Sequence, residues 1–125
     1  MTTEYKALNY TQRIIQGDSF DKTYAMNTLN TDTNTYTPID LSNKIVTGQL
    51  RLAPGDTPAI DFGTSKSDGG TGIENSFTLT LTSTQTTSMR PGTWYYDVQL
   101  TDSTDSEKVD TVLKGNFIVR AEITQ

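Results

Sequence analysis

The sequence predicts an all-β sandwich of two antiparallel sheets with about seven strands, and three observations predict it. Apolar and polar residues alternate with period 2, most clearly in Trp94, Tyr96, Val98 and Leu100 against Tyr95, Asp97 and Gln99. Turn residues punctuate the chain at roughly 10-residue spacing. No segment of useful length carries the 3.6-residue period of an amphipathic helix.

In chain order, residues 10–16 and 19–29 read as strands joined at Gly17-Asp18, and residues 30–38 as a Thr/Asn/Asp loop whose one apolar side chain is Tyr36. Residues 44–52 form a strand that Pro54-Gly55-Asp56 turns into a short one at 59–62, with Ile60 and Phe62 on one face. Residues 67–72, with three glycines, are the most flexible stretch. Phe77, Leu79 and Leu81 alternate with Thr78, Thr80 and Thr82, placing a threonine row on the outer face of a strand. Residues 83–89 have room for one helical turn, with Met89 pointing inward. After Pro91-Gly92 comes the Trp94 strand, then a polar run at 101–107 that reverses the chain. Val109, Thr111, Leu113, Gly115, Phe117, Val119 and Ala121 alternate along its hairpin partner.

The chain of 125 residues is long enough for one self-sufficient core and is read as a single domain over 1–125. Its hydrophobic fraction is 33%, and Thr, Ser, Asn and Asp fill the deficit more than charge does, as a sheet with one wet face requires. A net charge of −5 argues against nucleic acid and anionic membrane surfaces as partners, because both need clustered Lys and Arg. No stretch has the pattern of a secretory leader or the length of a transmembrane helix, so the expected place of synthesis is the cytoplasm.

With no His and no Cys, imidazole bases, triads using His, disulfides and thiolate metal sites are excluded. Asp61 paired with Asp97 or Glu74 is the remaining acid/base arrangement, weighed against solvated surface carboxylates. The run Asp102 to Glu107 has oxygen ligands at alternating positions but lacks the central Gly of a calcium loop and is read as a hairpin tip. Gly69-Gly70-Thr71-Gly72 has no following Lys and is read as a turn. Arg51 is read as the structural partner of an acid such as Asp97. The expectation is therefore no enzyme, no catalytic residue, no cofactor and no metal.

The candidate interface residues are Tyr5, Leu8, Tyr10 and Tyr95. Tyr95 is the aromatic of the Trp94 strand that faces outward, a weak platform for a saccharide. The other three precede or begin the first strand, and residues 1–9 are either an arm that docks on a neighbour or an extra edge strand of the same domain.

One resemblance goes further. Gln16-Gly17-Asp18-Ser19-Phe20, Ile39-Asp40-Leu41-Ser42, Gly48-Gln49-Leu50-Arg51, residues 77–82, residues 91–100 and Leu113-Lys114-Gly115-Asn116-Phe117-Ile118-Val119 follow one another in order from about residue 14 to residue 124. This pattern resembles a family of small tailed-bacteriophage structural proteins, that of the N-terminal domain of phage baseplate upper proteins. The resemblance implies an immunoglobulin-like sandwich in the virion, an adaptor at the tail, baseplate or fibre attachment site, present in several copies and bound to other virion proteins. The alternatives are a capsid decoration protein and a carbohydrate-binding module. The chain departs from the pattern at Lys22, where an apolar residue is usual, and in having no fibre or shaft after Gln125.

Overall fold

A computed structural model of the chain describes residues 8–52, 59–68, 70 and 72–121. Outside these lie Tyr5 and most of the proposed arm, the Pro54-Gly55-Asp56 turn, and Gly69 and Thr71 of the glycine-rich stretch. Eleven strands and one short helix occur among the described residues: β1 (Leu8–Asn9), β2 (Gln12–Ile15), β3 (Phe20–Ala25), β4 (Asn27–Asn30), β5 (Thr35–Pro38), β6 (Lys44–Arg51), β7 (Ile60–Asp61), β8 (Gly63–Ser67), β9 (Ser76–Leu81), α1 (Ser83–Thr87), β10 (Gly92–Asp102) and β11 (Asp105–Arg120).

The predicted sandwich is present. Sheet A runs β1-β11-β10-β6-β7, with β2 also on β11, and sheet B runs β3-β9-β8. Their inner faces meet in one core, because period-2 alternation sends Phe20 from β3, Phe77, Leu79 and Leu81 from β9, Leu50 from β6, Trp94, Tyr96, Val98 and Leu100 from β10, and Phe117 and Val119 from β11 to the same side. The centre is aromatic. Phe117, with no exposed surface, packs edge-on against Phe20 at 5.3 Å, Phe62 at 6.0 Å and Tyr96 at 6.1 Å between ring centroids, within the range in which such pairs add to burial.

Three features depart from the sequence reading. Sheet A is mixed rather than purely antiparallel, since β1 and β2 both run parallel to β11, with Leu8 opposite Leu113 and Phe117 opposite Gln12. The predicted 19–29 strand breaks at Met26, and what read as a loop pairs with its end as the β4–β5 hairpin, a separate two-stranded sheet. Finally, β11 carries a bulge: Val98 faces Leu113 but Gln99 faces Thr111, so Val112 is an extra residue. The bulge reverses the inward and outward phase, and Val109 therefore lies exposed while Val112 and Leu113 are both buried.

The connections are fixed by side chains. Helix α1 opens on a capping box in which Thr82 takes the Gln85 N–H and the Gln85 side chain takes the Thr82 N–H. Its buried Thr86 hydroxyl donates to Asp18 O at 2.7 Å and accepts from Gly17 N at 3.1 Å, holding the β2–β3 turn, and Met89 behind it is wholly buried. The Lys66 ammonium gathers the carbonyls of Leu41 at 3.1 Å and Lys44 at 2.8 Å and pairs with Glu74 at 3.4 Å, clasping the approach to β6.

Lys22, the departure from the apolar pattern, is half-buried in the row of β3 that also holds Phe20 and Tyr24. Its ammonium lies 4.7 Å over the Tyr10 ring and 3.4 Å from Gln12 Oε1, so it is held by a π face and an amide oxygen at the sandwich rim. Gln12 in turn donates to the Tyr24 hydroxyl.

Candidate functional site

Alternation puts a second set of side chains on the outer face of sheet A. Register aligns Asp61, Gln49, Asp97, Lys114 and Asn9 in one row across five strands, with Arg51, Tyr95 and Asn116 in the adjacent row. Together they line a solvent-open cleft of about 1180 Å³. Tyr95 stands 42% exposed within it. Three of the polar groups there are tied to one another: Arg51 Nη2 donates to Gln49 Oε1 at 2.8 Å, and Gln49 Nε2 donates to Asp61 Oδ1 at 3.0 Å.

That chain corrects two sequence-based pairings. Arg51 is bonded to Gln49, not Asp97, because the register sets Tyr95 opposite Arg51. Asp61 and Asp97 do share a row, but Gln49 stands between them, so their strands are separated by roughly two strand spacings, near 9.6 Å. Glu74 is elsewhere, paired with Lys66.

The predicted interface residues do not form one patch. Tyr95 is on the outer face of sheet A, while Tyr10, also exposed, turns the other way to meet Lys22 of sheet B. The Leu8 backbone is part of sheet A, as the edge-strand alternative for that segment has it, and Asn9 follows it opposite Lys114. Tyr5 lies outside the described residues.

Tyr10 has a structural duty through its backbone. Between β1 and β2 its carbonyl receives the Tyr96 hydroxyl at 2.5 Å, and its N–H donates to Lys114 O at 2.8 Å. Burial pushes the Tyr96 phenol from its ordinary 10.0 up to about 12. The neutral phenol is therefore the form the fold prefers, and this contribution is complete below pH 10 and is lost as pH rises through about 12. Urea unfolding of the wild type is expected to weaken between pH 10 and 12, and Tyr96→Phe to weaken less steeply. Identical slopes in the two proteins would remove Tyr96 from that account.

At the β10–β11 tip the carboxylates are spent locally. Asp102 Oδ1 accepts the Thr104 N–H at 2.9 Å and the Thr104 hydroxyl at 2.7 Å, which hold its carboxyl at about 2, and its other oxygen faces Lys44 at 3.6 Å. Asp105 likewise accepts from Glu107 N at 3.1 Å. The run is an Asx-type hairpin tip. Among the described residues no group of three or more acidic side chains is placed to hold a metal ion, and no helix is long and apolar enough to cross a membrane.

Sequence reasoning missed the element that carries Tyr36, the most exposed large apolar side chain among the described residues. In the β4–β5 hairpin nearly every residue is exposed, and Leu29 (46% exposed) lies directly opposite Tyr36 (70% exposed). Among the described residues the hairpin is anchored at its base, by Met26 N to Asn75 O at 2.8 Å, Ile39 N to Met26 O at 3.0 Å, and Asn75 Nδ2 to Asn27 Oδ1 at 3.2 Å. Tyr36 inside a Thr-rich run was the available signal.

No protein-family model matches the chain, and no curated protein does. A similar solved structure is AggA, the major subunit of aggregative adherence fimbriae type I from Escherichia coli, at 10% identity and a TM-score of 0.42, covering 94% of this chain and 99% of that one. This neighbour is a fimbrial subunit and not a phage protein. The expected role as a tailed-phage adaptor or capsid component, with virion partners, is corrected accordingly. The reason the residues misled is physical: each motif behind that resemblance is a strand followed by a turn, and any antiparallel sandwich of this length generates such a series.

Proposed function

We propose that this domain is a non-enzymatic structural module that works by associating with other β domains, copies of itself among them. The observation that carries the reading is the β4–β5 hairpin, a twelve-residue finger outside both main sheets that presents Leu29 and Tyr36 to solvent. Among the described residues its strands add no side chain to the core, and an isolated two-stranded hairpin gains stability only when a face or edge is covered. Large apolar side chains also remain exposed elsewhere, with Ile15 on β2, Ile45 at the start of β6 and Val109 on β11. The polar cleft of sheet A supports the same reading, because its Arg51, Gln49 and Asp61 are bonded to one another.

Sedimentation velocity of the full chain from about 10 µM to about 1 mM is the test, a range suited to small transient interfaces. The sedimentation coefficient is expected to rise with concentration. A constant monomer value over that range overturns the reading.

A further inference from the structure

We propose that the β4–β5 hairpin is a self-association element, and that its occupant is the same hairpin of a second copy, joined β4 to β4 in antiparallel fashion about a two-fold axis. This inference rests on the structural-module reading above and names its partner.

The backbone singles out the β4 edge. Ile39 N donates to Met26 O, which fixes Met26 and Ile39 as a hydrogen-bonded pair. Alternation then makes Thr28 with Thr37 and Asn30 with Thr35 the next bonded pairs, so the amides and carbonyls of Asn27 and Leu29 point away from β5. On the other side of the hairpin, Pro38 has no N–H to offer, so the β5 edge is missing a donor. The β4 edge keeps all of its donors.

Charge points to a copy of this chain. Two copies of net charge −5 repel one another, and the hairpin from residue 27 to residue 38, with Asp32 as its one charged side chain, is a place where they can meet with little added repulsion. The contrast with β11 is sharp. Among the described residues, no strand covers the side of residues 105–112 that faces away from β10, and that edge carries Asp105, Glu107, Lys108 and Asp110. Charged side chains of this kind are how β proteins prevent edge-to-edge pairing. The β4 strand, Asn27-Thr28-Leu29-Asn30, has none.

Geometry makes the contact self-complementary. Antiparallel pairing of two β4 strands continues both hairpins into a four-stranded sheet, and a two-fold axis normal to that sheet leaves the same face of each copy on the same side. Leu29 then adjoins the partner's Leu29, with Tyr36 and the partner's Tyr36 flanking them, forming one apolar strip in place of two exposed pairs. Four residues per strand give a small interface, so the association is weak for one pair and gains strength where many copies are held together.

The tests use the full chain. In sedimentation velocity the double variant Leu29→Lys, Tyr36→Lys is expected to weaken self-association at least tenfold while circular dichroism stays that of the wild type, since both side chains lie outside the core. Undiminished association of that variant, in a wild type that associates, overturns the hairpin and leaves the structural-module reading standing. A wild type that never associates overturns both. Because the chain contains no cysteine, an engineered thiol reports position without interference. Thr28→Cys is expected to form maleimide-bridged dimers at least tenfold faster than Lys108→Cys, and equal rates overturn the proposal.

Discussion

Phe117→Ala is expected to lower the unfolding free energy by about 3–5 kcal/mol, the range for removing a fully buried phenyl ring. The upper half of that range applies here, because the ring sits between the two sheets and its loss removes edge contacts to Phe20 on sheet B and Tyr96 on sheet A together. The surrounding groups, Phe62 included, are bulky rings that collapse poorly into a gap. Urea unfolding followed by tryptophan fluorescence gives the measurement, with Trp94 as the reporter. A loss below about 1.5 kcal/mol, the ordinary cost of a volume-conserving swap, would mean that the ring is not the keystone between the sheets.

Gly115→Ala is the second large effect, and it acts on the backbone. Gly115 has φ of 150°, where residues with a side chain are strained, and a Cβ built there strikes the carbonyl of Tyr10. That carbonyl cannot swing away cheaply, since it receives the Tyr96 hydroxyl, and Tyr10 N is bonded to Lys114 O. Strain of order 1–3 kcal/mol combines with the loss of these bonds, giving an expected destabilisation of about 3 kcal/mol. The result should be local first: amide exchange at β1 and β2 rises well before the β10–β11 ladder is affected. Unchanged protection of β2 in Gly115→Ala would show that the N-terminal strand tolerates the intrusion.

How much of this was legible in the sequence depended on whether the cause was local. The Trp94 strand, the Phe77 strand and the inward Met89 were readable because a single strand's alternation or one helical turn determines them. The phase of β11 was not readable past its bulge, since one inserted residue at Val112 reverses every side chain before it, and the bulge is set by the partner strand. The β4–β5 hairpin read as a loop because Asn, Thr and Asp favour turns in isolation, and its pairing depends on Asn34 adopting a left-handed φ of 54°. The candidate interface was the least legible. Tyr95 was correctly read as outward, but that Tyr10 is engaged by Lys22 from the opposite sheet needed the tertiary contact to be known. The acid pairing proposed for Arg51 failed because the register sets Tyr95 opposite it and leaves Gln49, two residues back on its own strand, as its partner.

The parallel alignment of β1 and β2 on β11 also bears on how the chain is made. Leu8 pairs with Leu113, a partner about a hundred residues later, so β1 cannot take its place in sheet A until β11 has been made. A ribosome-bound chain lacking β11 can assemble sheet B, but sheet A then lacks its longest strand and the ring of Phe117. Arrival of β11, rather than the emergence of any early hairpin, is therefore the event that commits the domain to its final form.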